Sequence, residues 1–470
     1  MPRQLPADCL NEIFDYLEND KITLYSCLLV NRLWCEIAVR ILWKDVFCSS
    51  TPCPRVVLSL LSPIIACLPN ESKDLLYKNG IFFKTSTWKP PLFNYASYCK
   101  ILSINKIDQM IQNAFLQNLN SDKELILQEI LKVLMSQISS LKSLDYSKCP
   151  MNVKLINFPG AKDCLMNLTE LSCCSTDKYS ELSPICHNIQ SLTVEFGDFI
   201  SNGLKDLISL QHNLKNVTLI YSYISLLNRT SGMEIITSSL SNFSLTLTRL
   251  KIIEYCIPLS FISCFINLQE LILSYEYDDG LNDFDQLQYI KFPRLKVLKF
   301  LYMIPKVDML IKFLEINGKN LDELYTGEYD RSLNLAIAEF CSNLKILFVM
   351  FINVGLDTLG IILKSCQYLE SINIWCNYID KKRFLEVLAK NTPKNFSELK
   401  IYYIFDQIHP DELEEFFINW KIHMPRRSLS LVIIKSICLE VNVETIKLIE
   451  KYVEMKLIKF RIKIYDEKED

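Results

Sequence analysis

The chain has 470 residues, 50% of them hydrophobic and 11% aromatic, with only 10 Gly and 17 Pro; that is ample material for two or three domains or one long repeat array, and it excludes global disorder. Its 51 basic and 54 acidic residues leave a formal net charge of −3, which supplies no field to draw in nucleic acid or an anionic membrane surface. Acidic residues interrupt MPRQLPADCLNEIF where a signal peptide needs an apolar core, and polar residues break every later apolar run before about 18 residues, so a soluble protein of the cytoplasm, the nucleus or both is expected. Asn-x-Ser/Thr matches such as Asn167-Leu-Thr169 are then chance sequons, and the 18 scattered cysteines are expected as reduced, buried thiols.

The first predicted element follows Pro6, whose missing N–H costs least at a helix start, and places Leu10, Ile13, Phe14 and Leu17 on one helical face. A second apolar helix is expected from about Leu24 to Val30. Asn31 opens a third, carrying Trp34, Ile37, Ala38 and Ile41 and leading to Leu42 and Trp43. Three short helices in about 45 residues hold more apolar surface than so small a unit can hide, so a partner is expected. The alternative is a helical hairpin that caps a repeat array.

The phrases LPADCLNEIFDYL and CLLVNRLW, followed by Leu42-Trp43, resemble the F-box. Leu5, Pro6, Leu10, Ile13, Phe14, Leu17, Leu24, Cys27, Val30, Asn31, Arg32, Trp34, Leu42 and Trp43 carry the resemblance. Asp8 stands where Glu is common, and Lys21-Ile22 where Asp-Leu is usual; neither removes an apolar anchor. The resemblance implies that residues 1–47 dock on the Skp adaptor of a cullin-RING ubiquitin ligase. It also implies that Leu5, Pro6, Leu10, Ile13, Phe14, Leu17, Leu24, Cys27, Val30, Trp34, Leu42 and Trp43 bind that adaptor.

Residues 48–140 read as a helical linker. CSSTPCP at 48–54 marks a turn-rich joint, and Pro90-Pro91 interrupts any helix within TSTWKPPLFNYA. YCKILSINKI at 98–107 has the character of a degenerate first strand, which would start an array near 93 rather than at 141.

From Leu141 one phrase recurs, L-x-x-L-x-L, with its first apolar position at 141, 168, 189, 214, 247, 268, 295, 321, 344, 369 and 396. The steps run from 21 to 33 residues and mostly lie between 21 and 27, a leucine-rich-repeat period. Alternation inside the phrase gives a short strand, and stretches such as 355–366 and 411–424 give amphipathic helices between strands. The expected fold is α/β: a three-helix F-box, then a curved leucine-rich-repeat solenoid over 141–465 with a parallel sheet on the concave face, then an acidic tail at 466–470. Cys186, Cys341 and Cys366 sit three residues before a first apolar position, and Cys149 eight after Leu141; this resembles the cysteine-containing repeat, in which such thiols fill tight turns. KLIKFRIKIY at 456–465 reads as a last strand with lysines guarding its edge. The whole is similar in style to the large fungal families of F-box/leucine-rich-repeat proteins, in which the array captures a substrate.

Side chains four and six residues after each first apolar position should face out of the sheet. In four successive repeats this row gives Tyr325, Phe348, Met350, Trp375 and Tyr402, an exposed aromatic cluster suited to a protein target. Two alternatives stand beside it: a C-terminal segment folded back over these residues, or a one-residue register slip that sends them into the core.

Chemistry is hard to place anywhere in the chain. There is no G-x-S-x-G, H-E-x-x-H or Gly-rich phosphate loop. His187, His212, His409 and His423 are scattered, and Asp278-Asp279 and Glu414-Glu415 read as solvated charge. Cys173-Cys174 with Cys186-His187 lacks zinc-finger spacing. No catalytic residue, metal or cofactor is expected. The resemblance therefore implies a substrate-recognition subunit of an SCF-type ligase with an unidentified protein substrate; the alternatives are an adaptor-bound scaffold that degrades nothing and a repeat receptor for a small ligand.

Overall fold

The computed structural model describes residues 5–47, 54–82, 91–114, 120–148, 153–176, 181–197, 199–221, 233–254, 258–276, 281, 283–352, 355–376, 380–402, 409–424, 427–435 and 443–464. The joint at 48–53, Pro90, Cys149, the pair Asp278-Asp279 and the acidic tail lie outside the described residues. The chain divides into two compact units, Met1–Val217 with Ile224–Asn242, and Thr218–Tyr223 with Phe243–Asp470.

The first unit opens with α1 (Ala7–Asp15), α2 (Lys21–Cys27) and α3 (Arg32–Lys44). Local chemistry sets each start. Pro6 precedes α1, and its carbonyl accepts from Leu10 N–H at 3.1 Å. Asp20 caps α2, accepting from the Thr23 hydroxyl at 2.6 Å and from Thr23 N–H at 3.1 Å, and these bonds hold its carboxyl below the usual range. Asn31 caps α3 by accepting from Trp34 N–H at 2.9 Å. Leu10, Phe14, Leu24, Cys27, Ile37, Ala38 and Ile41 form the core between the three helices, and Trp34 meets Phe14 edge-on at 5.2 Å. Two contacts tie the box to residues 95–100: Lys100 N–H donates to the carbonyl of Lys44 at 2.9 Å, and Trp43 packs on Tyr95 with ring centroids 4.6 Å apart.

Among the described residues, fourteen parallel strands run in chain order. They are β1 (Ile101–Ser103), β2 (Ser143–Asp145), β3 (Glu170–Cys174), β4 (Ser191–Phe196), β5 (Asn216–Tyr221), β6 (Arg249–Ile253) and β7 (Glu270–Tyr275). The remainder are β8 (Val297–Tyr302), β9 (Glu323–Thr326), β10 (Ile346–Phe351), β11 (Ser371–Cys376), β12 (Glu398–Tyr402), β13 (Leu429–Lys435) and β14 (Ile458–Ile464). The division between the two units passes through β5. The second leucine of the repeated phrase sets the register: Leu102, Leu144, Leu171 and Leu192 align in the first unit, and Leu250, Leu271, Leu298, Leu324, Leu347, Ile372, Leu399 and Leu431 in the second. All are buried, because a period of two sends every alternate side chain to one face.

Helices return the chain between most strands, as at Val307–Asn317, Arg331–Phe340, Leu356–Ser365 and Pro410–His423. Two of the described connections carry a 3-10 turn where a helix is expected, Leu259–Cys264 between β6 and β7 and Phe284–Gln286 between β7 and β8; in the first, Pro258 starts the turn and the step from 247 to 268 leaves little length for more.

Buried polar groups stitch neighbouring repeats together. Asn317 accepts from Phe292 N–H at 2.7 Å and donates to the carbonyls of Ile290 (2.9 Å) and Phe313 (3.2 Å). Gln211 repeats the arrangement, accepting from Ile189 N–H and donating to Cys186 and Leu207 carbonyls. Replacing Asn317 by Leu strands two backbone groups of the preceding repeat, at about 1–3 kcal/mol each, so a loss of roughly 2–6 kcal/mol is expected, read as a lower urea midpoint of the full chain. An unchanged midpoint would show the amide to be dispensable.

The thiols of Cys186, Cys341 and Cys366 are buried in the same turns. Cys366 Sγ–H donates to the Cys341 carbonyl at 3.4 Å and Cys186 Sγ–H to the Leu165 carbonyl at 3.7 Å. Burial pushes Cys186 and Cys366 up to about 12, and Cys341 further still. In the folded protein a maleimide at neutral pH should therefore modify exposed Cys9, whereas these three react only after denaturation, as peptide mass spectrometry would show. Native modification of Cys341 would contradict the packing.

Candidate functional site

The box presents two populations of apolar side chain, and the structure redistributes the residues that the F-box resemblance implied. Leu10, Phe14, Leu24 and Cys27 do not face outward: they are the core that joins the three helices, with Phe14 only 1% exposed. Leu17, Trp34 and Leu42 are half-buried against that core, and Trp43 is half-buried against Tyr95. The reason is elementary, since three short helices must bury one stripe each before any residue is left for a partner.

What remains outside is apolar too. Leu5, Ile13 and Val30 are exposed, as is Pro6. So are four residues that the motif did not single out: Tyr16 (91% exposed), Ile22 (82%), Tyr25 and Leu29 (89%). Seven large apolar side chains thus stand in solvent between Leu5 and Val30, all of them described residues. Ile13 and Tyr16 sit three apart, as do Ile22 and Tyr25, which gives each helix a second apolar stripe. That leftover stripe was the available signal, visible once the inward stripe is subtracted.

The second surface is the sheet face opposite the leucine rows, in the second unit. Register places Lys251, Ile272, Lys299, Tyr325, Phe348, Asn373, Lys400, Val432 and Arg461 in one row across β6 to β14. Ring geometry follows from that row and its neighbour. Tyr325 stacks on Phe348 at 4.6 Å and 11°, Phe348 meets Tyr402 edge-on at 5.4 Å, and Trp375 stacks on Tyr402 at 5.9 Å and 2°. Asn373, buried among them, donates to the Tyr325 hydroxyl at 2.7 Å.

Four of the five residues expected on this face thus come together as a ring cluster, but the expected exposure is corrected. Tyr325, Phe348 and Tyr402 are buried, Tyr402 to 1%, while Met350 and Trp375 are half-buried. Strands about 4.8 Å apart bring the rings within stacking distance, so they cover one another. Val432 and Ile434 of β13, a strand outside the L-x-x-L-x-L series, complete the cluster, with Leu301 and Trp375 packed against it. No register slip is involved: Leu324, Leu347 and Leu399 occupy the other face.

Charge surrounds the cluster. Lys299 pairs with Glu323 at 2.7 Å and lies 4.7 Å from the Tyr325 ring centre, and Lys400 pairs with Glu398 at 3.3 Å. Burial, then Arg249 and Lys299, holds the Lys251 ammonium below its ordinary range. Among the described residues no group of three or more His, Cys, Asp and Glu could hold a metal, and no helix is long and apolar enough to cross a membrane. Cys173 and Cys186 are core residues, and the His187 ring lies 3.0 Å from the Pro184 carbonyl.

Residues 3–49 match the F-box-like family, so the N-terminal segment is an F-box-like domain. Among solved structures the chain is similar to one described as "Crystal structure of Rad7 and Elc1 complex in yeast", at 14% identity and a TM-score of 0.37, over 94% of this chain and 97% of that one. No curated protein matches the sequence.

Proposed function

We propose that this protein is the substrate-recognition subunit of an SCF-type ubiquitin ligase in the cytoplasm or nucleus. The F-box-like domain docks on a Skp-type adaptor and through it on a cullin-RING ligase; the repeats hold a protein target; the chemistry is left to other subunits. One observation carries the reading. The segment that matches the F-box-like family is the segment that exposes Leu5, Ile13, Tyr16, Ile22, Tyr25, Leu29 and Val30, a density of solvent-facing apolar side chains that a partner must cover.

Affinity purification of the full chain with and without a proteasome block tests the ligase role. Adaptor and cullin should co-purify in both cases, and a target should be enriched only when degradation is blocked. A target whose half-life is unchanged on deleting residues 1–47 would leave an adaptor-bound scaffold instead.

A further inference from the structure

We propose that the outward face of β6 to β8 is a docking furrow for an extended peptide of a protein target, with an aspartate or glutamate beside Lys251 and an aliphatic side chain two residues along, between Ile253 and Leu301. This rests on the reading of the repeats as the target-holding part, and deepens it by naming the target's chemistry.

Three adjacent strands build the furrow. The register sets Lys251, Ile272 and Lys299 side by side on β6, β7 and β8, and two residues further it sets Ile253, Ser274 and Leu301 side by side. On the central strand Ile272 and Ser274 are only 5% and 4% exposed, whereas the four residues on the flanking strands are half-buried. The floor therefore runs along β7, and each wall carries a lysine followed by an aliphatic residue. Leu301 also packs against the ring cluster, which fixes one wall in place. Alternate residues on a strand project about 6.6 Å apart, so an extended segment laid along β7 meets first the lysines and then the aliphatic pair with residues two apart.

Charge selects the first of those residues. The outward face of β6 to β9 carries Arg249, Lys251, Lys299, Glu270 and Glu323. Arg249 pairs with Glu270 at 3.0 Å and Lys299 with Glu323 at 2.7 Å, so these four are engaged within the protein. Lys251 is the cation left over. Among the described residues its ammonium has no ion-pair partner, and burial together with nearby Arg249 and Lys299 disfavours its charge, which an anion seated beside it would offset. One cation in excess matches a single carboxylate. A phosphate, at about −2, would add repulsion from Glu270 and Glu323. Past Ile253, Glu254 accepts from Glu276 N–H at 2.7 Å and places an acid at the aliphatic end, so the ligand's anion belongs at the Lys251 end.

The test is a random peptide library displayed against the full chain, followed by titration of the best synthetic binder. Enriched peptides should share an aspartate or glutamate followed two residues later by Leu, Ile, Val or Met. The best of them should bind Lys251→Met about tenfold more weakly, and Lys251→Glu more weakly still. Changing the peptide's acid to its amide should cost the same factor with the wild-type protein and nothing with Lys251→Met, as direct contact requires. Ile253→Ala should weaken the parent peptide but not a version whose aliphatic residue is Ala. Lys251→Met keeps the side-chain stem and removes only the charge, so it serves alone if thermal unfolding shows that Lys251→Glu disturbs the fold. No enrichment, enrichment without an acidic residue, the same amide loss with and without the Lys251 charge, or tighter binding of a phosphoserine version would each overturn the proposal. Capture of the adaptor by the same protein sample is unaffected by these outcomes, so a failed peptide site is distinguishable from a failed ligase reading.

Discussion

Replacing Tyr16, Ile22 and Leu29 together by Ser is expected to weaken adaptor binding at least a hundredfold while leaving thermal unfolding in place. All three side chains are largely in solvent, so their removal takes nothing from the core. Each central apolar anchor at an interface is worth about 1–2 kcal/mol or more, and three of them exceed the roughly 2.8 kcal/mol that a hundredfold loss requires. Phe14→Ala behaves differently. That ring fills the centre of the box against Trp34, and its loss should cost about 3–5 kcal/mol of box stability. It would abolish adaptor binding by unfolding the domain, and a lower melting temperature reveals which mechanism acts. Titration calorimetry beside a thermal melt separates the two variants. Retained affinity in the triple Ser variant would place the adaptor surface elsewhere.

Phe348→Ala should destabilise the second unit by about 3–5 kcal/mol, because the ring is buried between Tyr325 and Tyr402 and its removal opens a cavity that the fixed strand spacing cannot close. The near-ultraviolet circular dichroism of the stacked rings should fall with it. Changing Phe348, Trp375 and Tyr402 to Ser together would therefore remove the floor itself and say nothing about a target. Trp375→Ala is the better probe of binding, since the indole keeps one side in solvent and its loss should cost less than about 2 kcal/mol. A Phe348→Ala protein with an unchanged urea midpoint would show that the cluster does not support the sheet.

Much of the architecture was legible because the repeat writes its own register. One aliphatic residue at a fixed place in each phrase from Leu144 to Leu399, leucine except at Val217 and Ile372, specifies both the inward face and the partner on the next strand. β13 escaped because LSLVIIK is a nearly continuous apolar run: its inward Leu429, Leu431 and Ile433 have no regular polar alternation to reveal them, since Val432 and Ile434 serve the ring cluster on the other face. The same gap misled the reading of exposure, for without Val432 and Ile434 the aromatic row looks open to solvent. In the box, the motif residues were legible as a set but not by role. A helical pattern shows which residues are apolar; only packing shows that Phe14 is spent on the core while Leu29 is left outside. Asn317 and Gln211 gave no sequence signal, because a buried amide that closes a turn of the neighbouring repeat looks like any polar residue in a loop.

Titration calorimetry of the purified full chain with a purified Skp-type adaptor measures the proposed docking of residues 1–47. A one-to-one complex with a dissociation constant of about 1 µM or tighter is expected, lost when residues 1–47 are deleted and weakened at least a hundredfold by the Tyr16, Ile22 and Leu29 substitutions. A folded full-length protein that gives no binding heat and does not co-elute with the adaptor would contradict it.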